Sequence, residues 1–225
     1  PISAVRFGDR AAPALVILLG RQHPPEVTGA MGMEGFLREL ADQGEARRIA
    51  DGRLQFLAVP LLNPDGVARG HWRANRGAQD LNRDWGEFSQ PETRAVKTWL
   101  DALPETVRPV AMLDFHSTKR NLFYVQSETE TEEREEQFLT GWLSGKQAAM
   151  AGYPFSIERR DANPGSETAK TWFHQTYDIP AYTYEVGDQT EREAIRRSAI
   201  SLAQSYLDQL DRSLHVVHLE QRRLK

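Results

Sequence analysis

Residues 14–26 read ALVILLGRQHPPE, and this stretch indicates the fold. Residues 14–19 form a short apolar run with β-branched members, which favours a strand buried on both faces. His23 and Glu26 follow three residues apart, and helical periodicity then extends over residues 27–40. A buried strand followed directly by a helix is typical of α/β proteins.

The same alternation of apolar runs and helical patterns continues along the chain. Further strands are predicted at residues 2–7, 54–61, 110–115, 122–126 and 181–186. Further helices are predicted at residues 91–103, at residues 132–150 and after the capping box of residues 190–193. The sequence therefore predicts an α/β fold with a mixed, mostly parallel sheet and helices on both faces.

The length and composition indicate one globular unit. The chain has 225 residues, 40% of them hydrophobic and 27% charged, and no low-complexity linker interrupts it. We therefore expect a single catalytic domain over residues 1–225. Because the chain starts at Pro1 without a methionine or a signal-peptide pattern, we also expect that sequence before residue 1 is missing.

Charge and residue usage narrow the possible partners. The net charge of -4 and the lack of a Lys/Arg cluster argue against a nucleic-acid partner. The longest apolar run, residues 11–19, is too short to span a membrane. There is no cysteine, so any transition metal must be bound by histidines and carboxylates. The oligomeric state and the compartment stay open.

Polar residues follow several of the predicted strands. His23, Asn63, His116 and Glu185 each lie at or just beyond the end of an apolar run. In an open α/β sheet, ligands bind beyond the carboxyl ends of the strands. The sequence therefore predicts a functional site at this rim.

Three of these rim residues could hold a metal ion. His23 and Glu26 are spaced so that imidazole and carboxylate share one side, and His116 adds a second imidazole. Three protein ligands leave a position open for water, as in catalytic zinc sites. Taken singly, the His-x-x-Glu pair could be a solvated helix start and His116 a structural hydrogen bonder. Asp114, two residues before His116, is expected on the same strand face.

A long polar loop lies between these elements. It contains NPDG at residues 63–66, HWRANRG at 71–77 and QDLNRDW at 79–85. Its tryptophans argue against disorder, and arginines on an ordered loop are suited to gripping a carboxylate in bidentate fashion. Surface arginines in local salt bridges are the alternative.

Together these motifs resemble the zinc carboxypeptidases of the pancreatic carboxypeptidase superfamily. The ordered set is His-x-x-Glu, Asn-Pro-Asp-Gly, Trp-Arg, Asp-Leu-Asn-Arg, strand-His-Ser and Tyr-Glu-Val, over residues 2–187. The proline pair after His23 and the DLNR motif are more similar to bacterial relatives of the cytosolic carboxypeptidases than to the digestive enzymes. The resemblance implies a zinc-dependent peptidase with a carboxypeptidase-like fold and a peptide substrate.

The resemblance also implies roles for individual residues. One zinc ion per chain would be bound by His23, Glu26 and His116, and Glu185 would be the general base that takes the water proton. Arg73 would polarise the scissile carbonyl, and Asn82 with Arg83 would bind the terminal carboxylate of the substrate. Asp80 would hydrogen-bond the first zinc histidine and fix its tautomer.

The sequence departs from the digestive enzymes at two places. Prolines replace the arginine of the His-x-x-Glu loop, so one substrate contact is absent. An ungapped count to the family's mobile tyrosine reaches residues 163–165, where no tyrosine stands. A similar count places Lys170 at the base of the pocket for the terminal side chain, which predicts a preference for acidic C-terminal residues. If the register is shifted, Lys170 would instead lie on a solvated helix face.

Two other functions remain open from the sequence. The first is an N-acyl amino acid deacylase of the same superfamily, which shares the zinc set and an Asn-Arg pair. The second is a non-catalytic zinc- or peptide-binding module. The Trp-Arg and Tyr-Glu-Val contexts favour the peptidase over the deacylase, and the presence of both Glu185 and Arg73 argues against the module.

Overall fold

The structure of the chain, a computed structural model, describes residues 1–42, 52–146, 150, 152–160 and 167–223, with side chains as far as residue 214. The strands are β1 (Val5–Gly8), β2 (Ala14–Gly20), β3 (Leu54–Val59), β4 (Arg108–Thr118), β5 (Leu122–Gln126), β6 (Ser156–Arg160) and β7 (Ala181–Gly187). The helices are α1 (Val27–Glu39), α2 (Pro64–Arg69), α3 (Pro91–Asp101), α4 (Glu133–Leu143), α5 (Ala169–Tyr177) and α6 (Arg192–Arg223), and a 3-10 turn covers Leu81–Arg83.

The strands form one sheet in the order β1-β3-β2-β4-β7-β5-β6. The four central strands β3, β2, β4 and β7 run parallel to one another. β1 pairs antiparallel with β3, and β5 pairs antiparallel with β7 and parallel with β6. The predicted α/β fold with a mixed, mostly parallel sheet is therefore confirmed.

The central strand β2 shows why both faces of the sheet are covered. All seven of its residues are buried. Val16 and Leu18 face a core that includes Phe36 of α1, whereas Ile17 and Leu19 face a second core on the opposite side. Since side chains alternate along a strand, a continuous apolar run requires a packed layer on each face.

Several element boundaries differ from the sequence prediction by up to three residues. β4 continues to Thr118, so His116 lies inside the strand rather than after it. The largest difference is the helix predicted over residues 132–150, which ends at Leu143 because Ser144 leaves the helical conformation with φ of -60° and ψ of 132°.

The edge strand β6 was not predicted. Its sequence, SIERR, is short, carries three charged residues and is only partly buried. Charged residues of this kind protect an exposed sheet edge, and they also hide the apolar pattern from which strands are predicted.

Helix α1 lies unusually close to β4. A Cβ atom at Gly29 would lie 2.3 Å from the carbonyl oxygen of His116, so the helix can approach only because residue 29 is glycine. The hydroxyl of Ser117 accepts hydrogen bonds from the Gly29 amide (2.8 Å) and from Thr28 Oγ1 (2.9 Å). These contacts fix the start of α1 against the strand that carries His116.

Among the described residues, no helix is both long enough and apolar enough to cross a bilayer.

Candidate metal and catalytic site

The candidate site lies at the carboxyl end of the central strands. His23 follows β2, His116 lies near the end of β4, and Glu185 lies near the end of β7. His116 and Glu185 are register partners across the parallel pair β4 and β7. The sheet therefore brings together three of the four rim residues that the sequence predicted.

The fourth rim residue, Asn63, has a structural role. Its Oδ1 accepts a hydrogen bond from the Gly66 amide and caps α2, while its Nδ2 donates to the carbonyl of Gln22 at 3.0 Å. Asn63 therefore caps α2 and holds the segment before His23 in place.

His23, Glu26 and His116 form a compact cluster. One oxygen of Glu26 lies 2.7 Å from His23 Nδ1 and the other lies 2.8 Å from His116 Nδ1. One possible ligand atom from each residue lies within 4.8 Å of the other two. Two imidazole nitrogens and a carboxylate at this separation are a donor set that suits zinc, so the residues fit the ion that the resemblance implies.

The turn that carries Glu26 leaves its carboxylate free for the cluster. Glu26 is the N-cap residue of α1, but its side chain makes no capping bond. Arg21, with φ of 54°, turns the chain after β2, and its guanidinium donates to the carbonyl of Pro24. Although burial raises the pKa of Glu26, the two histidines outweigh it and lower that pKa to about 2.

A carboxylate lies within hydrogen-bond distance of the Nε2 atom of each histidine, the ring nitrogen that faces away from the cluster. His23 Nε2 lies 3.0 Å from Asp80 Oδ1, and His116 Nε2 lies 2.7 Å from Asp114 Oδ2. Since a carboxylate only accepts, each imidazole donates through Nε2, and Nδ1 is the nitrogen that faces the cluster. This is the arrangement that a metal-binding histidine requires.

The two supporting carboxylates differ in exposure. Asp114 is fully buried, whereas the Asp80 side chain is 19% exposed and also bonds Arg73 Nε at 2.6 Å. Burial raises the pKa of Asp80, but the hydrogen bonds and charges of His23 and Arg73 dominate and hold that pKa well below its usual range. Asp80 is therefore an anion at neutral pH.

Glu185 is a mostly buried carboxyl group beside this cluster. Burial raises the pKa of Glu185 to about 7, and the negative charges of Glu26 and Asp114 add to that effect. Its buried Oε2 atom makes no hydrogen bond with any described residue. A carboxyl group that exchanges its proton near neutral pH and keeps one oxygen unbonded is suited to general acid-base chemistry.

Asn82 and Arg83 lie on the 3-10 turn that follows Asp80. The Asn82 amide oxygen accepts from the Ala169 amide at 2.9 Å, so the Asn82 Nδ2 group remains as a donor. The side chain of Arg83 is exposed, and its Nη1 donates to the Asn82 carbonyl at 2.6 Å.

Lys170 lies in the first turn of α5 and is buried, with 7% exposure. Its ammonium group donates to the carbonyl of Val125 at 3.3 Å and to that of Arg160 at 3.4 Å, on β5 and β6. On β5, Leu122 pairs with Glu185 of β7 and Tyr124 pairs with Thr183, so Tyr124 and Glu185 are diagonal neighbours on one face of the sheet. Val125, whose carbonyl accepts from Lys170, follows Tyr124 directly. Lys170 therefore lies against β5, the strand next to β7, and not on a solvated helix surface.

Two further sequence positions complete the comparison with the prediction. His71 Nδ1 lies 3.2 Å from the carbonyl oxygens of Ala74 and Asn75, within the polar loop itself. Residues 163–165, to which the ungapped count from Glu185 leads, fall outside the described residues.

Gln22 and Trp85 contact the site through Asp114, but sequence reasoning gave neither of them a role. Gln22 precedes His23 directly, and Trp85 ends the QDLNRDW motif. Their position beside motif residues was the signal that could have identified them, although no spacing rule links a glutamine to a tryptophan 63 residues away.

Known proteins are similar to this chain in sequence and in structure. Mouse cytosolic carboxypeptidase 6 is 27% identical over 217 residues, which cover 86% of this chain and 40% of that protein. Mouse cytosolic carboxypeptidase 3 is 36% identical over 114 residues, covering 48% of this chain and 11% of that protein. A metallo-carboxypeptidase from Burkholderia cenocepacia matches the fold with a TM-score of 0.72 and 22% identity, covering 94% of this chain and 61% of that one.

These relatives are longer than the chain, which spans at most about three fifths of each of the three. The family model described as zinc carboxypeptidase matches residues 1–212, which is nearly the whole sequence and includes every candidate site residue. The chain therefore belongs to the zinc carboxypeptidase family, which implies zinc as its metal.

Proposed function

We propose that residues 1–225 are the catalytic domain of a zinc-dependent carboxypeptidase that removes C-terminal residues from peptides. The observation that carries the proposal is the placement of Glu185, a buried carboxyl group with an unbonded oxygen, directly opposite His116 on the neighbouring strand. Family membership supplies the reaction class, and this pair supplies the local chemistry.

In this proposal His23, Glu26 and His116 hold the zinc ion. When bound, zinc would supply a Lewis acid that activates water and polarises the scissile carbonyl. The Nε2 hydrogen bonds to Asp80 and Asp114 keep both Nδ1 atoms turned inward, so the ligand set is oriented before the ion arrives.

Glu185 is the proposed general base. Its carboxylate takes a proton from the attacking water as the oxygen adds to the carbonyl carbon, and it returns that proton to the leaving nitrogen as the C–N bond breaks. A pKa near neutrality suits both transfers, because the group must gain and lose a proton in one cycle. A neighbouring cation favours the carboxylate form, which prepares the group for the first transfer.

Three residues are proposed to bind the substrate. Arg73 uses Nε to bond Asp80, which leaves its terminal guanidinium nitrogens to stabilise the developing oxyanion. Asn82 Nδ2 and the exposed guanidinium of Arg83 would bind the terminal carboxylate, for which a charged fork beside an amide donor is well suited.

Lys170 is proposed to select an acidic terminal side chain. Its ammonium is buried next to Val125 of β5, the strand that pairs with β7. Val125 lies three residues along β5 from the partner of Glu185, which is a separation of about 10 Å. The positive charge of Lys170 attracts a carboxylate side chain and repels a basic one, which favours acidic terminal residues. Peptides ending in Glu, Asp or another acid-bearing residue are therefore the expected substrates.

The function is tested with the zinc-loaded chain and its Glu185→Gln variant on peptides with a free or an amidated C-terminus, and on N-acyl amino acids. We expect release of the last residue only from free peptides, equal metal content in both proteins, and a loss of roughly 10²-fold or more in the turnover of the variant. Equal turnover would mean that another group is the base. Hydrolysis of N-acyl amino acids alone would indicate a deacylase, and metal binding without any hydrolysis would indicate a binding module.

A further inference from the structure

A buried chain of hydrogen bonds extends from Trp85 to His116. The indole Nε1 of Trp85 donates to Gln22 Oε1 at 2.9 Å, and Gln22 Nε2 donates to Asp114 Oδ2 at 2.6 Å. The same Asp114 oxygen lies 2.7 Å from His116 Nε2. Trp85, Gln22 and Asp114 are fully buried and His116 is 1% exposed, so water does not compete for these bonds.

The direction of each bond in this chain is determined by its two ends. An indole N–H can only donate, so the Gln22 amide must turn its oxygen towards Trp85 and its amino group towards Asp114. The amide nitrogen of Gln22 can only donate, so Asp114 Oδ2 accepts one hydrogen bond from Gln22 Nε2 and one from His116 Nε2. Trp85 thus sets the orientation of Gln22, and through Asp114 this fixes the Nε2 side of the His116 ring.

Asp114 depends strongly on Gln22. Among the described residues, Gln22 and His116 are the two donors to its Oδ2, and its buried Oδ1 makes no hydrogen bond. A buried carboxylate that loses one of its two donors becomes poorly satisfied and moves. Asp114 would then no longer accept the His116 Nε2–H bond from a fixed position, so the ring that carries Nδ1 could turn away from the cluster.

We propose that Gln22 and Trp85 are positioning residues for the metal site: through Asp114 they keep the Nδ1 lone pair of His116 directed at the ion. The inference rests on the proposed zinc ligands and adds two residues that carry no metal-binding group of their own. Outer hydrogen-bond partners of this kind typically change metal affinity by about 10- to 100-fold when they are removed.

Packing holds Trp85 in place at the far end of this chain. Its ring lies 5.4 Å from that of Phe173, 5.8 Å from that of Trp172 and 6.1 Å from that of Phe88, measured between centroids. The indole N–H is therefore presented to Gln22 by a rigid aromatic cluster. Trp172 belongs to the same cluster but takes no part in the chain of hydrogen bonds, so it offers a matched control.

The test compares Trp85→Phe and Gln22→Met with Trp172→Phe. Trp85→Phe removes one N–H and keeps most of the ring, and Gln22→Met removes both hydrogen bonds at nearly constant volume. For each full-length variant, the zinc dissociation constant is measured by competition with a chelator. Solvent exchange of the His116 Nε2–H proton is followed by NMR in the zinc-loaded proteins, and the thermal midpoint is recorded in EDTA.

We expect zinc binding to weaken about 10-fold or more in Gln22→Met, and less in Trp85→Phe, with faster exchange of the His116 Nε2–H proton in both. Trp172→Phe should lower the thermal midpoint without changing zinc affinity or this exchange rate. Equal zinc affinity in Gln22→Met and the parent would overturn the inference. If Trp85→Phe fails to fold, Gln22→Met decides alone. A parent that binds no zinc through His116 would instead refute the proposed ligand set.

Discussion

His116 and Glu185 occupy paired positions on the neighbouring parallel strands β4 and β7. Paired residues on adjacent strands point to the same face of a sheet, about 4.8 Å apart. The spacing between the proposed ligand and the proposed base is therefore set by the centre of the sheet, and not by a loop. We therefore expect that either side chain can be changed without moving the backbone of the other residue, which makes their roles separable by mutation.

The first prediction concerns metal content. His116→Ala removes one of the two imidazoles of the cluster, so the purified variant should lose most of the single zinc ion that we expect in the parent. Elemental analysis after dialysis measures this. His71→Ala is the control, because the His71 ring contacts carbonyl groups of its own loop and should not affect zinc. Full retention of zinc by His116→Ala would contradict the ligand assignment.

The second prediction concerns stability and pH in the absence of metal. Burial raises the folded-state pKa of Glu185 to about 7, while an unfolded glutamate ionises near 4.5. Between these values the folded chain binds more protons than the unfolded chain, so this group lowers stability as pH rises. The full effect is at most roughly 3 kcal/mol.

Glu185→Gln removes this pH dependence, since an amide does not ionise. In EDTA, the thermal midpoint of the variant should exceed that of the parent by a margin that grows from pH 5 to pH 8. Glu87→Gln, a change at an exposed glutamate, is the control and should show no such trend. A constant difference between Glu185→Gln and the parent would show that the Glu185 pKa is not raised.

The third prediction concerns the contact between α1 and β4. Gly29→Ala places a methyl group 2.3 Å from the His116 carbonyl, so the helix must move away and take Glu26 with it. We expect weaker zinc binding and a net destabilisation of about 1–3 kcal/mol, despite the higher helix propensity of alanine.

Gly35→Ala is the control for this change. The added methyl group meets the Ala199 side chain at 3.0 Å, far from the metal cluster, and the helix-propensity gain offsets much of that crowding. Denaturant unfolding and chelator competition measure both variants. Unchanged zinc affinity in Gly29→Ala would show that the Glu26 position does not depend on this close approach.

The fourth prediction concerns specificity. Lys170→Met keeps the length of the side chain and removes its charge, so the preference for a C-terminal Glu over Leu should fall roughly 10-fold or more. The measurement is kcat/KM on peptides that end in Glu, Leu and Lys. Lys97→Met, a surface change in the ion pair with Asp101, should leave the ranking unaltered. Faster removal of Leu or Lys than Glu by the parent would disprove the pocket assignment.

The buried strands were predictable because their apolar residues form a clear pattern in the sequence. The run of residues 14–19 became β2 within one residue, since a continuous apolar run between Pro13 and the polar residues after Gly20 marks both ends of a buried strand. The metal cluster followed from residue type and order, because few side chains can bind zinc without cysteine. β6 was missed because charged residues on an edge strand hide its period.

The hydrogen bonds of Gln22 and Trp85 behind the metal site could not be predicted from the spacing of residues in the sequence. Gln22 meets Trp85 only after the strand, the loop and α5 have packed together, and the contact joins residues 63 positions apart. The position of Asp114 could be predicted, since alternation along a strand places it on the same face as His116.

The two histidines of the cluster have supports of unequal exposure. Support for His116 ends at the fully buried Trp85, whereas support for His23 passes through Asp80 to Arg73, whose side chain is 47% exposed. A substrate oxyanion bound by the terminal nitrogens of Arg73 would act on Asp80 through the Nε bond, and hence on His23. We therefore expect the His23 side of the cluster to respond to an arriving peptide more than the His116 side.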